Sequence, residues 1–209
     1  MFHNADRQFR YPLKLLATAA VALLMLALAG IALLGEAAPV AGADHSQQIM
    51  VVEFRGTASP RAPDPSKGEA GDWCFDAPLY DLKTDKQIGM AADCLEVIAV
   101  VDDGGTAGDP TDDAIKVRGV TRFELPQGRL VSVSETTVAP TTWDTPGVTH
   151  TTLAISEDDN ILTEYGTNAF RNATGRVRIS GAVNMSNFNP AAGTGEITFS
   201  CIFPIRIDR

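Results

Sequence analysis

The closing stretch GEITFSCIFPIRIDR (Gly195–Arg209) alternates with a regularity that few folds can use. Ile197, Phe199, Cys201, Phe203, Ile205 and Ile207 share one side. Glu196, Thr198, Ser200, Arg206 and Asp208 share the other, with Ile202 and Pro204 as exceptions. A period of two belongs to an extended strand, whose successive side chains point to opposite faces; a helix would scatter these residues around its axis. A strand this long with one apolar face has to cover that face with other strands or helices. The same alternation sets Ile115, Val117, Phe123 and Leu125 against Lys116, Arg118, Arg122 and Glu124. It also sets Val177, Ile179 and Val183 against Arg176, Arg178 and Ser180. After Ala43 the chain shows no heptad or long helical pattern; short apolar runs alternate with Gly, Pro, Asp and Asn clusters. The expectation is an all-β domain of eight strands, over 48–56, 72–80, 86–101, 114–125, 128–138, 147–156, 174–184 and 194–207. Eight antiparallel strands with one apolar face each close into a barrel whose interior fills with side chains or holds one small ligand. A two-sheet sandwich is the alternative.

The N-terminal 43 residues stand apart. Arg7, Arg10 and Lys14 precede the uncharged, Leu- and Ala-rich run Leu15–Leu34, and Ala41-Gly42-Ala43 follows. The run is long enough for a membrane anchor, while the A-x-A tripeptide suits cleavage of a signal peptide. Both readings stay open, and both place residues 44–209 outside the cytoplasm, because the basic flank stays inside.

Of the chain's 17 basic and 26 acidic residues, three and two lie in that segment, which leaves a net charge of about −10 on the rest. Such a surface repels phosphate backbones, so nucleic acid is not an expected partner. Beyond residue 43 only His45 and His150 remain, and no G-x-S-x-G elbow is present. A histidine-rich metal site and a multi-imidazole relay are therefore not expected. The acidic loop DDGGTAGDPTDD (Asp102–Asp113) lacks the spacing of a D-x-[DN]-x-[DN]-G calcium loop and reads as a solvated turn. No metal or cofactor is expected. Asn172-Ala173-Thr174 and Asn184-Met185-Ser186 match the glycosylation sequon; Asn-Ala-Thr-Gly is also simply a good turn.

GDWCFDAPLYDLKTDKQIGMAADC (Gly71–Cys94) resembles a segment of the allene oxide cyclases and dirigent-like proteins: Gly-Asp, a Phe, a Leu-Tyr pair, a polar turn, and Ile-Gly leading to a cysteine. Three further stretches fall in the family's order: Leu125–Glu135, Leu153–Ile179 and Ile197–Ile207. The resemblance implies an eight-stranded barrel, often a homodimer or homotrimer, that holds a hydrophobic small molecule and acts as an isomerase or cyclase without a cofactor. A non-catalytic lipid-binding or structural barrel is the alternative. The resemblance aligns Glu53 with a strand-borne catalytic glutamate facing an apolar cavity, where a fixed negative charge meets developing cationic character. An ordinary ion pair with Arg55 is the competing reading. It also brings Ser59 and Pro60, Ala77 and Tyr80 to the ligand, and Cys94, near the family's pocket cysteine, joins Glu53 as a catalytic candidate. The chain departs from the family at two asparagines, which are Arg55 and Ala77 here.

Trp73, Phe75, Ala77 and Leu79 are expected to face inward, as are Phe199 and Cys201, so Phe75, Phe199 and Cys201 join the ligand-binding set. Pairing of the first hairpin about position 84 sets Cys74 opposite Cys94. Facing argues against a bridge unless a bulge reconciles the two sides: Cys94 shares a side with Ile88, Met90, Ala92, Ile98 and Val100, and Cys74 with Asp72, Asp76 and Tyr80. The expectation is that Cys94 and Cys201 line the interior and that Cys74 is exposed or lies between subunits.

Overall fold

A computed structural model describes residues 47–102, 112–156, 158–190 and 192–208, without the side chains of 142–144. Contacts divide the chain into a unit of residues 1–44 and one of residues 45–209, and every described element lies in the second. The expected signal or anchor over residues 1–43 and most of the 102–113 loop lie outside the described residues.

Nine strands make up the unit: β1 Gln47–Ala58, β2 Trp73–Asp81, β3 Gln87–Asp102, β4 Ala114–Leu125, β5 Gly128–Thr145, β6 Val148–Ala154, β7 Thr174–Val177, β8 Ile179–Asn189 and β9 Thr194–Asp208. Among the described residues there is no α-helix, and no helix is long and apolar enough to cross a membrane. The strands form one antiparallel sheet in the order β1-β2-β3-β4-β5-β6-β8-β9. The sheet closes into a barrel-like ring because β9 pairs with β1 along its length, from Gln47 opposite Asp208 to Ala58 opposite Ile197.

Eight strands were expected and nine are present, because the run 174–184 breaks at Arg178. β7 pairs with the last residues of β9, and β8 pairs with β9 higher up and with β6 on its other side. The two pieces share one place in the ring. β6 ends at Ala154, so below that level Asn160–Leu162 fills the gap between β5 and β7. The Leu162 amide donates to Val131 O and the Asn160 amide to Gly175 O. The Asn160 side chain accepts from the Val177 amide at 2.7 Å and donates to Val177 O at 2.9 Å. A side-chain amide there supplies the ladder bonds of a missing strand.

The end where β1, β3, β5 and β8 finish is here the upper end. Large apolar side chains occupy the lower half of the interior. Phe54, Phe123 and Phe203 meet there, at 6.4 Å for the first and third rings and 5.3 Å for the second and third. Leu79, Leu130, Ile205 and Ile207 fill the space around them, and Phe170 belongs to the same buried cluster.

Candidate functional site

The facing of β3 decides what the interior contains. Leu79 pairs with Gly89 but Tyr80 pairs with Gln87, which leaves Ile88 as the extra residue of a bulge. One inserted residue reverses the parity of the strand. Ile88 packs on the core, and from Gly89 onward the inward positions are Ala91, Asp93, Leu95 and Val97. Gly89 permits the bulge, since a Cβ there would lie 2.1 Å from Glu124 O. The expectation that Cys94, Met90, Ile98 and Val100 face inward is thereby corrected: Met90, Ile98 and Val100 are exposed, and Cys94 is on the outer face.

Cys74 is corrected as well. It is neither exposed nor between subunits: it is fully buried and bonded to Cys94, its direct cross-strand partner. The disulfide sits in a small outer cluster with Val120 and Val131, covered by Leu162 and Tyr165. Beside it the buried Glu69 carboxylate accepts from Arg61 at 2.6 and 2.9 Å, from Arg122 at 2.7 Å and from the Asp64 amide at 2.8 Å. Burial opposes its ionisation, but these donors outweigh it and hold Glu69 at about 2. Glu69 and the two sulfurs lie within 4.8 Å of one another. The sulfurs are already spent in the disulfide.

The upper half of the interior is not filled. A cavity of about 60 Å³ lies there, walled by apolar side chains such as Trp73, Phe75, Leu95, Val183, Phe188 and Phe199. Its polar groups are few: Asp93, the Cys201 thiol, and the hydroxyls of Thr136 and Thr152, which hydrogen-bond to each other at 3.0 Å. Asp93 is the only charged side chain among the lining residues, and it is buried. Its Oδ1 accepts from the Thr121 hydroxyl at 2.8 Å. Next to it Gly119 has no side chain; a Cβ there would stand 3.8 Å from Asp93 Oδ1. Burial pushes Asp93 up to about 6, against the smaller opposing effect of Thr121. Burial, and then the Asp93 charge, push the Cys201 thiol up to about 12. His150 is buried, with Nδ1 2.7 Å from Thr149 Oγ1, and burial lowers its pKa.

Of the expected site residues, the cavity brings together Phe75, Phe199 and Cys201. Ala77 is buried in the core cluster but does not line the cavity. Glu53 lies on the outer face between inward Val52 and Phe54. It pairs with Arg55 at 3.2 Å and accepts from Ser200 Oγ at 3.4 Å. Arg55 in turn bonds Asp85 at 2.8 Å and covers the Tyr80 ring at 4.3 Å from its centre. Glu53 and Tyr80 are therefore outer-surface neighbours, and Cys94 is held in the disulfide. Ser59 is exposed, within 3.4 Å of Glu196 Oε1, and Pro60 follows it outside the cavity.

Asp93 was missed, although a signal for it existed. Pairing about position 84 puts Asp93 opposite Phe75, an inward residue, and side chains directly opposite share a face. Thr136 and Thr152 carried no signal, because threonine is common on both faces of strands. No family model matches the chain, and no curated protein or solved structure does.

Proposed function

We propose that this protein is an exported, allene oxide cyclase-like barrel that holds a small hydrophobic molecule in the upper half of its interior. The observation that carries the reading is the apolar cavity with one buried carboxyl group, Asp93, at its wall. A few polar groups in a mostly apolar concavity are what small-molecule sites contain. The stretch Gly71–Cys94, which resembles the family, supplies the Phe75 and Asp93 walls of that cavity. Export draws support from the Cys74–Cys94 disulfide, since such bonds persist in oxidising compartments.

The chemistry suited to such a site is isomerisation or cyclisation of a reactive apolar molecule. Conformational restraint by the aromatic walls supplies much of the effect. Asp93, with a pKa near neutrality, is the group that passes a proton; it takes the place that the resemblance gives to Glu53. A non-catalytic holding role is the second reading, and one observation favours it: the cavity pairs Asp93 only with a thiol held un-ionised, so no acid–base couple is assembled.

The test is titration of the full chain with 1-hexanol, followed by calorimetry and by Trp73 fluorescence in a Trp143→Phe background. Saturable binding is expected. Val183→Trp, which fills the cavity, abolishes it, and Glu53→Gln leaves it within about twofold. Absence of a saturable response, or equal binding by Val183→Trp, would overturn the reading.

A further inference from the structure

We propose that the ligand of this cavity is a slender aliphatic amine, bound as its ammonium ion with the nitrogen against the Asp93 carboxylate and the hydrocarbon running up between Phe75, Leu95, Val97 and Phe188. The inference rests on the cavity reading above and names its ligand class. It begins from an imbalance in the site. Asp93 is buried, its one hydrogen-bond donor is the neutral Thr121 hydroxyl, and the described lining residues include no cation. A carboxylate removed from water is stabilised by a counter-charge or it gives up its charge. Glu69 in the same protein shows the first solution, with two arginines upon it; at Asp93 no such residue is present in the lining, and a ligand is the remaining source.

The walls suit a cation better than any other charge. Trp73, Phe75, Phe188 and Phe199 present aromatic rings, whose faces attract an ammonium group. The missing side chain at Gly119 leaves room beside Asp93 Oδ1. The hydroxyls of Thr136 and Thr152 are further acceptors in the lining. A ligand anion would meet the carboxylate as a like charge, and a pure hydrocarbon would displace water from it and return nothing. Size sets the remaining limit. The cavity holds about 60 Å³, against roughly 150 Å³ for an engineered cavity that admits benzene. A six-carbon chain is bulkier than benzene, so the ammonium head and first carbons lie in the cavity and the rest of the chain runs out past Val97, which is 38% exposed.

The pH dependence separates this ligand from a neutral one. The groups facing Asp93 are Phe75 on β2, Thr121 and Gly119 on β4, and the Cys201 thiol on β9. Cys201 stays protonated up to about 12; His150, on β6, is not among the lining residues, and burial lowers its pKa. Asp93 is the carboxyl group of the lining, and it titrates at about 6. Its ionised form attracts an ammonium ion and its protonated form does not, so amine affinity falls as the pH drops through about 6. A neutral hydrogen-bond acceptor would show the opposite slope.

Calorimetry on the full chain with 1-hexylamine, 1-hexanol and hexanoate at pH 7.5 and pH 5 tests the assignment. At pH 7.5, hexylamine is expected to bind at least tenfold more tightly than hexanol, and hexanoate not to bind. At pH 5 the margin of the amine shrinks to threefold or less. Asp93→Asn removes the margin at pH 7.5; the wild-type pH profile stands on its own if that variant fails to fold. Hexanol binding as tightly as hexylamine, or amine affinity that rises toward pH 5, would overturn the amine assignment and leave the cavity reading intact. Amine binding that survives Val183→Trp is binding to the acidic surface and overturns it too. If neither hexylamine nor hexanol binds, both proposals fall.

Discussion

Asp93 makes the folding stability of this protein depend on pH in a direction opposite to that of most carboxylates. The perturbation is Asp93→Asn, which preserves shape, still accepts from the Thr121 hydroxyl and cannot ionise. In the native state burial lifts the group from 3.8 to about 6. The native protein therefore holds this proton more tightly than the unfolded chain does. The contribution is fully present below about pH 4 and is lost as the pH rises through about 6. At roughly 1.4 kcal/mol per pH unit, the full swing is about 3 kcal/mol. The assay is urea denaturation of wild type and variant side by side at intervals from pH 4 to pH 8. Taking the difference between the two cancels every other titrating group. The Asn NH₂ replaces the carboxylate oxygen that has no hydrogen bond among the described residues, at a cost of about 1–3 kcal/mol at every pH, so the informative quantity is the slope and not the offset. Wild type is expected to lose about 2 kcal/mol relative to Asp93→Asn across the range, most of it between pH 4 and pH 6. A difference that does not change with pH, or one of opposite sign, would refute the claim that Asp93 is buried without a counter-charge.

Two other perturbations address the outer cluster. Replacing Cys74 and Cys94 together by alanine opens a cross-link of sequence separation 20. The loss is expected to be about 3 kcal/mol of unfolding free energy in urea denaturation, with the native circular dichroism unchanged; an unchanged free energy would mean that the unfolded chain is not constrained by the bond. Glu69→Gln leaves Arg122, only 11% exposed, without its buried partner and is expected to cost about 3 kcal/mol at pH 7. Because the native group is held at about 2, the advantage of wild type is present above pH 4.5 and fades as the pH falls toward 2. A variant that matches wild type at pH 7 would show that the network does not stabilise the fold.

Much of the fold was legible in the sequence because its signal is local. The alternation from Ile197 to Ile207 survives intact as the buried face of β9. The inward set Phe75, Ala77 and Leu79 is likewise buried, since no bulge interrupts β2 between them. What failed was parity carried across an irregularity. Ile88 is apolar and packs inward, and counting by twos from it leads to Cys94; the extra residue at the bulge shifts the count by one and leads to Asp93 instead. The break at Arg178 was hidden because Val177 and Ile179 both face inward on either side of it, as they would in a continuous strand. Asn160 gave no strand signal at all. Its contribution to the wall is a side chain imitating backbone, which leaves no trace in hydrophobic periodicity. The place of Asp93 turned on the first of these alone, and its pairing with Phe75 was the signal that counting by twos passed over.

The pairing of β1 with β9 joins the first strand of the domain to the last. Synthesis delivers these two strands at different times, so the ring remains an open, curled sheet until β9 has left the ribosome. During that interval both β1 and β8 present unpaired edges, and such edges recruit other chains. Loop closure over the whole domain is also among the slowest events in folding, because long-range pairing must overcome chain entropy before it is rewarded. A chain cut short before Thr194 would keep those edges permanently. Its expected fate is aggregation rather than a smaller folded domain, which makes the fifteen residues of β9 the step that removes both open edges.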